Sequence, residues 1–322
     1  MFVLFSACVC FADDFNFPKI TKLDIEQVRQ EWQGRDLSSQ QVKVVDRSEL
    51  FGHKVLIVKH LVLGSVHYGA ILLPNNGKFE KDTPVLVIAD GLDQSDKTFS
   101  FAQSPTSRFF KAQVYKDFIK VIPAYRGRTL VFADNRYQAE GDFCDAYDGA
   151  TDDAIALLNV AQEVVPEGRY DKVLAIGGSR GGTVVLLMGV RDPRIHTVIA
   201  SSAPVDFYRT ELKDYYGDQF ACQFLTDKTI QETKLRILAS SPLHFTPTKQ
   251  LTQAIIQHGQ KDKVVPLWNA REISNHLVDS GIYVSTFIYA EKNHLDAWTS
   301  PSHKPKNYLG IEVFRRALMY GD

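Results

Sequence analysis

Six residues, Gly177-Gly178-Ser179-Arg180-Gly181-Gly182, follow directly on the apolar run Val173-Leu174-Ala175-Ile176 and lead into the apolar stretch Thr183 to Val190. A short buried-strand pattern, a glycine-rich hexapeptide and a buried-helix pattern, in that order, leave the chain few options. The hexapeptide fits G-x-S-x-G, in which a serine sits on a tight strand-to-helix turn with its hydroxyl exposed. Gly177 and Gly181 leave room where a Cβ would crowd that turn, and Gly182 lets the helix pack close to the strand. The hexapeptide lacks the Lys-Ser/Thr ending of a phosphate loop, so a nucleotide-binding reading finds no support.

The rest of the chain supplies a sheet around this turn. Ile25, Val28 and Trp32 recur at helical spacing, so Thr21 to Trp32 reads as a short amphipathic helix. Val42 to Val45, Val55 to Leu63 and Tyr68 to Leu73 read as strands, the last two joined by a Gly64-Ser65 turn, and predict an antiparallel start to the sheet. Pro74 to Thr83 is a polar loop. Beyond it strands and helices alternate: Val85–Ala89, Phe118–Ile122, a helix over Thr151–Val164, the strand before Gly177, and Thr197–Ala200. An insert of about 206–250 intervenes, followed by Ala254–Ile256, a helix from about Leu267 to Val278, a strand over Tyr283–Tyr289 and a closing helix over Leu309–Met319. Such alternation is the signature of a mostly parallel twisted sheet with helices on both faces, an α/β fold. No Pro/Gly/Ser-rich linker divides the elements, so residues 13–322 read as one domain carrying a small inserted cap.

Composition narrows the partners. The 37 Lys+Arg residues balance 38 Asp+Glu, and no basic cluster stands out, which argues against nucleic acid. The first twelve residues, MFVLFSACVCFA, are almost wholly apolar but too short to span a bilayer, so no transmembrane segment is expected. They resemble the apolar core of a signal peptide, with Cys10-Phe11-Ala12 as a small-x-small cleavage site, although no charged segment precedes them. Leu4-Phe5-Ser6-Ala7-Cys8 also has a faint lipobox look, with Cys8 as the attachment point; a buried N-terminal strand is the alternative. Export to the periplasm or beyond is the expectation. It leaves Cys144 and Cys222, a disulfide candidate in an oxidising compartment and two buried thiols in a reducing one. There is no Cys-x-x-Cys and no His/Cys spacing suited to zinc, so neither metal nor cofactor is expected. Nothing in the sequence sets an oligomeric state.

A serine hydroxyl is a poor nucleophile at neutral pH. It needs a histidine base, and the histidine needs a carboxylate to fix its tautomer. Asp262 lies in His258-Gly259-Gln260-Lys261-Asp262-Lys263-Val264-Val265-Pro266, directly after a buried strand. His294 lies in Glu291-Lys292-Asn293-His294, directly after the next. Their separation of 32 residues accommodates one helix and one strand, a βα unit of ordinary size.

Three motifs together make the chain similar to the α/β-hydrolase superfamily, and most to the catalytic domain of the prolyl-oligopeptidase family. They are G-G-S-x-G-G at 177–182, P-x-Y-R-G at Pro123 to Gly127, and H-G-x-x-D-x-x-V-P at His258 to Pro266, within a resemblance spanning roughly residues 80–320. The resemblance implies Ser179 as nucleophile, Asp262 as orienting acid, His294 as base and the Arg180 N–H as one oxyanion donor. The second donor comes, in relatives, from a loop that often reads His-Gly-Gly-Pro. This chain has Asp90-Gly91-Leu92-Asp93 there, which makes the Leu92 N–H the candidate. Relatives also carry a large propeller that restricts access, whereas fewer than ninety residues precede the core here.

Other residues compete for roles. His258 reads as structural, His303 is a rival base, and Asp296 reads as a solvated loop residue. Asp90 and Asp93 are turn residues or substrate contacts, and Arg126 pairs with a structural carboxylate or binds substrate. Phe207, Tyr208, Tyr215, Tyr216 and Trp298 line an acyl pocket or form the core of the cap. The expectation is an exported serine hydrolase that cleaves an ester or amide of a small molecule or short peptide through an acyl-enzyme. A carboxylesterase with no peptidase role, and a binding protein on a hydrolase scaffold, are the alternatives.

Overall fold

The computed structural model describes residues 19–74, 80–93, 97–100, 115–209, 217–226 and 228–294. The apolar segment 1–12, Tyr215, Tyr216, Asp296, Trp298, His303 and the helix expected over 309–319 lie outside them.

Alternate residues of each central strand point to opposite faces, and both faces are covered, which is why the strands read as continuous apolar runs. The described residues form a nine-stranded sheet from β1 (Gln40–Leu50), β2 (His53–Val62), β3 (Ser65–Leu72), β4 (Thr83–Ala89), β6 (Ile119–Pro123), β9 (Gly168–Gly178), β10 (Ile195–Ser201), β11 (Gln253–Gly259) and β12 (Tyr283–Tyr289), in the order β1-β2-β3-β6-β4-β9-β10-β11-β12. The first pairings, up to β3 with β6, are antiparallel, and every later one is parallel. Val85, Val87, Val173, Ala175, Val198 and Ile256 pack on one face against α2 (Asp148–Val164), α3 (Arg180–Arg191) and α5 (Trp268–Asp279). Leu86, Ile88, Leu174, Ile176, Ile199 and Ile255 form the other face. Burying one such side chain contributes about 1.5–3 kcal/mol, so the two layers dominate the stability of the sheet.

The second face shows what periodicity missed. Among the described residues it is covered by Tyr115, Phe118 and a three-stranded sheet of β5 (Thr98–Ser100), β7 (Thr129–Phe132) and β8 (Asn135–Gln138). These strands are three or four residues long, too short for a pattern, and exist because Phe99, Leu130 and Phe132 fill the layer.

The N-terminal helix α1 (Lys22–Gly34) opens with a capping box in which Thr21 and Asp24 satisfy each other's orphan amides. It docks through Val28 and Trp32, which pack with Leu187, Leu238 and Phe245, and through charge. Trp32 Nε1 donates to Asp148 at 2.8 Å, and Arg35 bonds Asp148 and Asp152 at 2.8 and 2.9 Å. Arg191 joins the same two carboxylates. With those charges compensated, α2 begins at Asp148, three residues before the expected Thr151. Between β10 and β11, α4 (Ile230–Ala239) packs on α1, with Lys234 Nζ 2.6 Å from Asp24 in a buried pair.

Candidate active site

The turn at Ser179 is sterically over-determined. Ser179 has φ 52° and ψ −126°, a conformation that costs an L-residue about 1–3 kcal/mol and persists only when its surroundings impose it. Those surroundings are backbone. The Ser179 N–H donates to the Ser201 carbonyl at the end of β10 at 2.8 Å. A Cβ on Gly177 would collide with the Gly181 carbonyl, and one on Gly181 with the Ala89 carbonyl at the end of β4. The Ser179 hydroxyl is not spent on capping α3, and the residue is only half-buried at that helix's positive end.

Asp262 and His294 follow β11 and β12 at the same edge of the sheet. His294 Nδ1 lies 2.8 Å from Asp262 Oδ2, which sets Nδ1 as donor and leaves Nε2 to take up a proton. Asp262 Oδ1 accepts from the Val264 and Val265 N–H groups, both at 2.9 Å. Burial works to raise the Asp262 carboxyl, but the bond from His294 and the Val265 N–H outweigh it and hold it below the ordinary carboxylate range. Gly259 is required here, because a Cβ would strike the carbonyls of Lys292 and Asn293. The His294 loop therefore rests directly on the end of β11, and the Lys261 N–H donates to the Lys292 carbonyl at 2.9 Å.

His258 is part of the support for the acid. Its Nε2 donates to the Val265 carbonyl at 2.8 Å and lies 3.4 Å from Asp262 Oδ2. Burial pushes its imidazole down, favouring the neutral ring. Arg126 likewise pairs with carboxylates, Asp145 and Asp153, each at 2.8 Å. Among the described residues no hydrogen bond joins the Ser179 hydroxyl to His294, and no group of three His, Cys, Asp or Glu side chains is placed to hold a metal.

The loop after β4 stands beside the turn. A Cβ built on Gly91 would lie 4.0 Å from that of Ser179. Asp90 is held by Arg128 at 3.3 Å, so its carboxylate is engaged in structure. The Arg180 side chain is buried, donating from Nε to the Asp90 carbonyl at 3.3 Å and from Nη2 to the Gly91 carbonyl at 2.6 Å. Its guanidinium lies 4.5 Å from the Tyr125 ring centroid. Burial, with Arg128 nearby, pushes it down to about 10. The motifs pointed to the Arg180 N–H and gave no role to its side chain. One signal was legible: a cation at the first position of a helix opposes the helix dipole and needs a separate reason.

Leu92 packs on the aromatic cluster of Tyr147, Phe207, Phe220 and Phe224. Phe207 is therefore the core of the insert, and Tyr208 gives its hydroxyl to the Lys234 carbonyl. Cys144 and Cys222 are bonded beside this cluster, with Cα atoms 5.4 Å apart, and the Ala146 N–H donates to Gln223 at 2.6 Å.

The sequence model of the prolyl oligopeptidase family matches residues 106–318, well over half of the chain. The chain belongs to this family. Residues 179, 262 and 294 all fall inside the matched stretch, and Leu92 precedes it. A search of curated proteins finds no significant match. Among solved structures, an acetyl xylan esterase from Paenibacillus sp. R4 superposes with TM-score 0.62 at 14% identity, covering 92% of this chain and 96% of that one. An esterase from Pyrococcus furiosus gives 0.60 at 14%, covering 83% and 94%. The acylaminoacyl peptidase of Pyrococcus horikoshii gives 0.58 at 16%, covering 84% of this chain but 49% of that one, so this family member spans about half of that peptidase. The fold is that of the α/β-hydrolases, and the family makes the protein a serine hydrolase, an esterase or a peptidase.

Proposed function

We propose that this family member cleaves esters, and amides more slowly, through an acyl-enzyme on Ser179. His294 Nε2 takes the Ser179 proton as the Oγ–C bond forms. The leaving alkoxide takes that proton as the tetrahedral intermediate collapses, and water then repeats the sequence to free the acid. The N–H groups of Arg180 and Leu92 bond to none of the described residues, which suits them to the oxyanion. The observation that carries this reading is the Asp262–His294 bond of 2.8 Å at strand ends on the same edge of the sheet as the strained Ser179 turn.

Ester preference is supported by the leaving group: an alkoxide or phenoxide departs with little need for protonation, whereas amide cleavage needs His294 placed to protonate a departing amine and a bound peptide to hold it there. On p-nitrophenyl acetate or butyrate kcat/KM is expected to exceed that on a matched aminoacyl p-nitroanilide, after correction for spontaneous hydrolysis. A preference for the anilide returns the peptidase reading, which family membership itself favours.

We infer that the protein works in an oxidising compartment, supported by the Cys144–Cys222 bond, which closes 78 residues between the start of α2 and the insert. In the chain-entropy view a loop of that size is worth about 4 kcal/mol, so Cys222→Ser should lower the thermal midpoint by several degrees. Alkylation of both thiols in native-source protein, without prior reduction, would refute the bridge.

A further inference from the structure

We propose that the Arg180 side chain is a positioning residue: by donating to the Asp90 and Gly91 carbonyls while lying on the Tyr125 ring, it fixes the peptide between Gly91 and Leu92 so that the Leu92 N–H stays turned to the acyl oxygen. The inference rests on the acyl-enzyme reading above, with Leu92 as the second donor.

Three observations meet at this point. In a trans peptide the C=O and N–H point in opposite directions, and among the described residues no peptide bond is cis. Drawing the Gly91 carbonyl to Arg180 Nη2 at 2.6 Å therefore turns the Leu92 N–H away from the guanidinium, on a loop where a Cβ built on Gly91 would stand 4.0 Å from that of Ser179. Next, Arg180 is 1% exposed, yet its hydrogen bonds go to main-chain carbonyls, while the neighbouring carboxylate of Asp90 is taken by Arg128. A cation whose hydrogen bonds go to carbonyls, and whose nearest carboxylate is paired elsewhere, loses its hydration without full Coulombic return, an arrangement that gains its reason from a site needing fixed positive charge. Finally, Tyr125, whose ring supports the guanidinium, has φ +65°, and its buried hydroxyl has no hydrogen-bond partner. A bulky residue held in that region is strained, so the ring's position is imposed by the fold.

The clamp is separable from ordinary stability. Wild type, Arg180→Lys, Arg180→Met and Tyr125→Leu are assayed on p-nitrophenyl acetate, with kcat referred to active sites titrated by a fluorophosphonate. Ser179→Ala serves as the control for the reading itself. Loss of one oxyanion donor lowers kcat by about 100- to 1000-fold, so Arg180→Met is expected to fall about a hundredfold with KM within about twofold, and Arg180→Lys about tenfold. Tyr125→Leu leaves the cation but removes its platform, and carries the same test if substitution at 180 prevents folding. A fall in melting temperature with kcat per titrated site unchanged, or a raised KM with kcat unchanged, would overturn the clamp. If Ser179→Ala still labels, the acyl-enzyme reading fails instead.

Discussion

Ser179→Ala is expected to abolish covalent labelling by a fluorophosphonate and to lower ester turnover by about 10⁴- to 10⁶-fold, with the fold retained. A serine attacks phosphorus only when a base takes its proton and donors stabilise the developing charge, so ordinary surface serines stay unlabelled. Ser179 differs from them in backbone before it differs in side chain. Its φ of 52° is imposed by contacts at Gly177 and Gly181 that involve main-chain atoms alone. Replacing the hydroxyl by hydrogen disturbs none of those contacts, so activity falls while the melting temperature should hold within about 2 °C. Labelling that persists in Ser179→Ala, read by mass spectrometry of the modified peptide, would move the nucleophile elsewhere.

Asp262→Asn and His294→Ala are each expected to lower kcat by about 10⁴-fold or more, and the double variant should be little worse than the worse single one. The acid and base act as a unit. Asp262 Oδ2 accepts from His294 Nδ1, and an asparagine presenting its NH₂ there would favour the tautomer with Nε2 protonated, which cannot accept the serine proton. Asp262 also carries two main-chain bonds from Val264 and Val265, which an asparagine carbonyl can retain, so the loop should keep its shape. Multiplicative losses in the double variant would argue against a shared role. Near-normal turnover in His294→Ala with loss in His303→Ala would give the base to His303.

Some of this architecture was legible in the sequence because it is local. The Ser179 turn is a steric constraint within six residues: no residue with a Cβ fits at 177 or 181, and those glycines are visible in print. The Asp262 and His294 positions were legible because apolar runs end just before them, and a parallel sheet brings its strand ends to one edge. The arginines were another matter. That Arg126 joins Asp153, that Arg128 takes Asp90, and that Arg35 and Arg191 share Asp148 and Asp152 are pairings across 27 to 117 residues, with no period to betray them.

The sequence by itself determined where a strained serine, a carboxylate and a histidine would stand along a βα succession, since chirality and strand–helix alternation convert those spacings into places on one sheet edge. Only the tertiary structure decided which way the long side chains turn. Arg180 has one position in the sequence but two functions in space, its N–H at the helix start and its guanidinium on carbonyls 89 and 90 residues earlier. Periodicity encodes which face a residue occupies. It does not encode where a four-bond side chain ends, because burial of a charge is settled by the carbonyls, rings and carboxylates that distant segments bring to it.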